Sequence, residues 1–96
     1  LSHYLDRVAT TEVLYIQLWR DIGPGWQTDP ESVGGWGIAE IAGPISGLAG
    51  GWRHWVECAN LLGNSGWDLW RQEEVGTPGC PSNVCTLIFK RRTGLR

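Results

Sequence analysis

Apolar and polar positions along this chain fall into three readable runs separated by a long glycine-rich stretch. Val13-Leu14-Tyr15-Ile16-Gln17-Leu18-Trp19 is dense in β-prone residues and apolar on both faces except at Gln17. That pattern predicts a central strand, one face on a helix and the other on a second surface. Gly23-Pro24-Gly25 then reads as a turn. In residues 52–62, Trp52, Trp55, Val56, Ala59 and Leu62 recur at helical spacing, with Arg53, Glu57 and Asn60 mostly on the other side. Gly63 follows where a helix commonly stops on a left-handed residue, so the sequence assigns it that conformation. Trp67 to Val75 reads as a strand with Trp67, Leu69, Arg71, Glu73 and Val75 on one face, and Asp68, Trp70, Gln72 and Glu74 on the other. Cys85 to Arg92 is its antiparallel partner across a turn-rich loop, with Leu87 and Phe89 opposing Ile88 and Lys90.

These elements predict an α+β domain: a three-stranded antiparallel sheet with one main helix packed on one face. A fourth strand is added if Trp36 to Ala42 joins the sheet. The whole chain, 1–96, reads as one small domain interrupted by a Gly/Trp-rich insertion at 23–51, which holds nine of the 14 glycines. The other sheet face keeps apolar side chains, which a second copy would cover.

Composition sharpens that last point. Seven residues are Trp, at 19, 26, 36, 52, 55, 67 and 70. A 96-residue domain cannot easily hide seven indoles, each needing an N–H partner when buried. Some are therefore expected at a pocket or a subunit interface. Residues 1–89 carry four arginines against all ten acids, and residues 90–96 carry Lys90, Arg91, Arg92 and Arg96. The basic tail ends a strand whose edge it protects, and the body has no basic face, so nucleic acid is not the expected partner. No apolar run is long enough to span a bilayer. Polar Thr10, Thr11 and Glu12 stand where a leader would be apolar, although the missing initiator Met leaves a trimmed segment open. Three cysteines make no clear secreted framework, and the cytoplasm is the expected compartment.

The junction Leu61-Leu62-Gly63-Asn64-Ser65-Gly66-Trp67-Asp68-Leu69, followed after a hairpin by Leu87-Ile88-Phe89-Lys90-Arg91, resembles small bacterial proteins of a family of unknown function. Gly63 and Gly66 match the family's two glycines, Trp67-Asp68-Leu69 its tryptophan–acidic–leucine triplet, and Phe89-Lys90-Arg91 its closing strand. The resemblance covers roughly residues 52–92, with Val13 to Trp19 as the first strand. It implies a compact, self-associating sheet-plus-helix domain with no established activity. The chain departs from that family in the insertion at 23–51 and the wide loop at 76–84, where a specialised site would be built.

Candidate chemistry is sparse. Cys80 and Cys85 flank four residues and suit either free thiols or a loop-stapling disulfide worth about 2–3 kcal/mol. His54 and Cys58 share a helix side, but a Cys–His nucleophile needs a group to orient the base, and the spacing supplies none. Two more ligands would be needed for a metal site. Glu73 and Glu74 point to opposite faces, and Asp21, Asp29, Glu31 and Glu40 suit turns and solvation. Gly34-Gly35-Trp36-Gly37 lacks the Lys-Ser/Thr of a phosphate loop. The sequence thus leads to a self-associating domain, most simply a homodimer, with no cofactor or metal. The alternative is a small-molecule-binding protein or small enzyme. Its Trp-lined pocket for an apolar or aromatic ligand would be built from Trp19, Trp26, Trp36, Trp55 and Trp70.

Overall fold

The computed structural model describes residues 10–28, 33–76 and 78–93. Among them are β1 (Thr10–Trp19), β2 (Gly37–Ala42), α1 (Trp55–Gly63), β3 (Asp68–Val75) and β4 (Val84–Thr93). The strands form one antiparallel sheet in the order β2-β1-β4-β3. The expected α+β class is what folds, and the insertion supplies the fourth strand. Expectations at Asp29, Glu31 and Arg96 lie outside the described residues.

The central pair runs from Thr10 opposite Thr93 to Trp19 opposite Val84. Alternation sends Leu14, Ile16 and Leu18 to one face, directly opposite Phe89, Leu87 and Cys85, and all six are fully buried. Burying each larger apolar side chain contributes about 1.5–3 kcal/mol before conformational entropy is charged against it. On the same core, α1 places Cys58 and Leu62. Ile45, Leu48 and Trp52, from the irregular stretch between β2 and α1, pack against it. Gly50 allows that stretch to lie on β2, because a Cβ there would stand 2.9 Å from Gly37 Cα and 3.1 Å from Ile38 N.

Three expectations are corrected. The helix starts at Trp55 rather than at Trp52, which instead bridges to Trp36. Residue 54 is extended, with φ −129° and ψ 145°. Its N–H donates to the Glu57 carboxylate at 2.8 Å, which closes the first turn. The inward stripe becomes Trp55, Cys58, Ala59 and Leu62, while Val56 is 44% exposed.

Gly63 is helical and absent from the left-handed positions; Gly66, at φ 91°, holds that role. Trp67 N–H donates to Leu62 C=O at 3.0 Å and Gly66 N–H to Gly63 C=O at 3.1 Å. This is a Schellman closure, and Trp67 packs back into the core that holds Leu62.

The third correction concerns β3, which begins at Asp68. Leu69 pairs with Phe89 but Arg71 with Ile88, so Trp70 is an extra residue in a bulge. Beyond it the register is shifted. Gln72 and Glu74 stand beside Leu87 and Cys85 on the helix side, and Arg71, Glu73 and Val75 take the other side with Asp68. The expected face shared by Trp67, Leu69 and Val75 does not exist.

Candidate functional site

Among the described residues, the helix and the 43–52 stretch cover one face of the sheet and nothing covers the opposite face. Its composition follows from the pairing. The first rung across the central strands carries Val13, Lys90 and Asp68; the next carries Ala42, Tyr15, Ile88 and Arg71. Glu40, Gln17, Thr86 and Glu73 form the third, and Gly37, Trp19, Val84 and Val75 the fourth. Val13, Trp19, Trp70 and Val75 remain 48%, 47%, 56% and 55% exposed. Together they expose roughly 400 Å² of apolar surface, with Val13 and Trp70 toward one end of the face and Trp19 and Val75 at the other.

The charges on this face are ordered. Lys90 Nζ lies 3.7 Å from the Trp70 ring centre, and the Arg71 guanidinium 5.5 Å from it. The indole face attracts both cations and holds them at one end. Beside them a hollow of about 320 Å³ is lined by Thr11, Asp68, Trp70, Lys90 and Arg92 among others. Carboxylates Glu40 and Glu73 lie one rung further along, on opposite edges.

The covered face carries a polar cluster that closes rather than opens. Glu74 accepts from Trp55 Nε1 and Gln72 Nε2, each at 3.0 Å, and from the Ser82 hydroxyl. Arg20 Nε donates to Ser82 C=O at 2.9 Å, and its guanidinium lies 4.3 Å from the Trp36 ring centre. The cluster ties the helix start and the β3–β4 loop to the sheet. Among the described residues Ser82 donates to a carboxylate and has no imidazole beside it, which does not make a nucleophile. At the far end, Arg91 lies 4.2 Å from the Trp67 ring centre and bridges to Glu12 at 2.9 Å. Trp67 Nε1 is buried without a partner among the described residues.

All three cysteines are free thiols, with Cys58 and Cys85 buried and Cys80 exposed. Burial, and then the neighbouring Cys85, pushes the Cys58 thiol from 9.0 up to about 11. Burial also raises Cys85. A thiol held protonated this way is a packing residue, not a nucleophile, and residue 54 lies outside the helix. Among the described residues no three of His, Cys, Asp and Glu are grouped to hold a metal ion. Nor is any helix there long and apolar enough to cross a membrane.

The five tryptophans singled out from the sequence occupy separate places. Trp19 and Trp70 share the open face at opposite ends. Trp36 is a core residue at 2% exposure, and Trp55 flanks the core through its bond to Glu74. Trp26 lines a surface hollow of about 280 Å³ with Ile22, Pro24, Cys80, Pro81 and Asn83. Val13, Val75, Arg71 and Lys90 were missed as members of one surface. Alternation about the Leu14–Leu18 and Cys85–Phe89 stripes reveals Val13 and Lys90, whereas Arg71 and Val75 depend on the bulge.

Compared with protein-family models, curated proteins and solved structures, the chain finds no match, and its function is read from the geometry above.

Proposed function

We propose that this domain acts through protein–protein contacts made by its open sheet face, most simply with a second copy of itself. The observation that carries the reading is the exposure of Val13, Trp19, Trp70 and Val75 on one face while the other is covered by α1 and the 43–52 stretch. The β3 edge is a poorer docking surface. β3 carries a bulge and the charges Asp68, Arg71, Glu73 and Glu74, devices that discourage strand addition. Strands about 4.8 Å apart make the face roughly 20 Å wide. That suits the ~800 Å² each partner of a standard interface buries. Burying the patch on both copies gives on the order of 20 kcal/mol gross at about 25 cal/mol per Å². Association costs about 4–15 kcal/mol, more with side-chain ordering. The remainder fits micromolar pairing, about 8 kcal/mol.

Sedimentation equilibrium from micromolar to millimolar chain tests this. The expected result is a rise toward twice the chain mass, and a strict monomer throughout refutes it.

The hollow beside Trp26 favours a second reading, binding of a small apolar or aromatic ligand. There a fluorescence response to planar apolar compounds should vanish in Trp26→Phe. No response in the parent chain removes this reading.

A further inference from the structure

We infer that two copies pair with their two-fold axis running across the strands, so that Arg71 of each copy meets Glu73 of the other. The inference rests on the proposed self-association and adds its orientation. Two stacked sheets with aligned strands lie about 10 Å apart and cross near −30°. A closed pair is isologous, so each contact occurs twice. Two axes in the plane between the sheets give such alignment, one along the strands and one across them.

An axis along the strands reverses strand order and keeps each rung over itself. Glu40 and Glu73 stand at opposite edges of the same rung, each aligned with the central Gln17–Thr86 pair. In that arrangement Glu40 of each copy lies over Glu73 of the other, two like-charge contacts. That like-charge pairing is unfavourable.

An axis across the strands reverses rung order and keeps each strand over its own counterpart. The second rung then lies over the third, and Arg71 over Glu73. The first lies over the fourth, which sets Val13 over Trp19. Trp70, next to Arg71 in the bulge, comes over the Glu73–Val75 end of β3. Val13 meets Trp19, and Arg71, which with Lys90 lies near the Trp70 ring, meets a carboxylate, while Lys90 comes over Val84 and Asp68 over Val75. Glu40 lies over the counterpart of Ala42, so the like-charge contact disappears.

The test measures dimer Kd by sedimentation for the full chain and for Arg71→Glu, Glu73→Arg and the double variant carrying both. These residues are exposed, and circular dichroism with thermal melting confirms that each variant folds. Each single reversal should weaken pairing about tenfold or more, since like charges then face each other twice. The double variant should return to within a few-fold of the parent, and so should an equimolar mixture of the two single variants. If Trp70→Glu abolishes the dimer while the charge reversals leave Kd unchanged, the face is correct and this orientation is wrong. Tighter pairing by Glu40→Lys with no effect of Arg71→Glu assigns the axis along the strands and overturns the inference. A parent chain that stays monomeric refutes the self-association beneath it, and so does one that instead binds a single-stranded oligonucleotide through Trp19 and Trp70.

Discussion

Gly63→Ala and Gly66→Ala should change stability in opposite directions, although both glycines belong to one junction. Gly66 sits at φ 91°, where an added Cβ approaches nothing closer than Arg91 Cδ at 3.9 Å. Space is therefore not the obstacle, and the cost is that of holding an L-residue in the left-handed region, about 1–2 kcal/mol. Gly63 lies in the last turn of α1, and a Cβ there meets nothing within 4 Å. Alanine at that position should stabilise by roughly 0.5–1 kcal/mol, by raising helix propensity and restricting the unfolded chain. The two variants should thus differ by about 2 kcal/mol, or on the order of 10 °C in Tm for a domain of this size. Urea unfolding should be followed by far-UV circular dichroism at one fixed chain concentration, since self-association adds stability that depends on concentration. Unequal midpoints at an equal slope, with Gly63→Ala the more stable, are expected. If Gly63→Ala loses about 1 kcal/mol and Gly66→Ala is neutral, the helix stops three residues earlier than described and the Schellman closure is wrong.

Leu62→Ala should cost about 2–5 kcal/mol because the side chain is 2% exposed in the core, while Val56→Ala should cost under about 0.5 kcal/mol; comparable losses in chemical denaturation would place the helix in a different phase. Trp55→Phe should lose about 1 kcal/mol through the missing donor to Glu74, a loss that Glu74→Gln should reduce in a double-mutant cycle. In the folded chain a thiol reagent at pH 8 should label Cys80 rapidly and Cys58 and Cys85 only at the rate of opening, so rapid labelling of all three thiols would contradict the burial. The folded Cys58 thiol titrates above its ordinary value, so its contribution is intact below about pH 9 and disappears as pH rises toward 11. Stability should therefore fall by up to roughly 1.4 kcal/mol per pH unit across that window, a slope that Cys58→Ala should lessen.

The two central strands were legible because alternation survives in them without interruption, with Leu14, Ile16 and Leu18 facing Phe89, Leu87 and Cys85. The helix was legible but out of phase. Reading Trp52 as its first turn tilted the apolar stripe toward Val56. Once residues 52–54 lie outside the helix, positions 55, 58, 59 and 62 define the stripe, and Cys58 belongs to it. The bulge at Trp70 leaves no local mark, since it arises from how β3 registers against β4. One extra residue moved Arg71, Glu73 and Val75 away from the face read for Leu69. Gly63 and Gly66 are indistinguishable by residue type, and only the bond from Trp67 N–H to Leu62 C=O separates helix interior from helix stop. Within 23–51 the glycines read as breakage. One of them, Gly50, is a close-approach position that lets the chain lie on β2, near Trp36 in the core. The candidate surface was legible only as a class. A sheet with one helix leaves a face uncovered, but which charges sit on it follows from a register the sequence does not display.

The most direct test of the open face as the contact surface is sedimentation velocity on the parent chain and on a variant carrying Trp19→Glu and Trp70→Glu. Both side chains are about half exposed and contribute little to the core, so the variant should keep the parent's circular dichroism spectrum and unfold cooperatively. The parent should sediment faster as concentration rises from micromolar to millimolar, approaching twice the chain mass, while the variant should stay monomeric throughout. A parent that remains monomeric, or a variant that assembles as well as the parent, would contradict the claim.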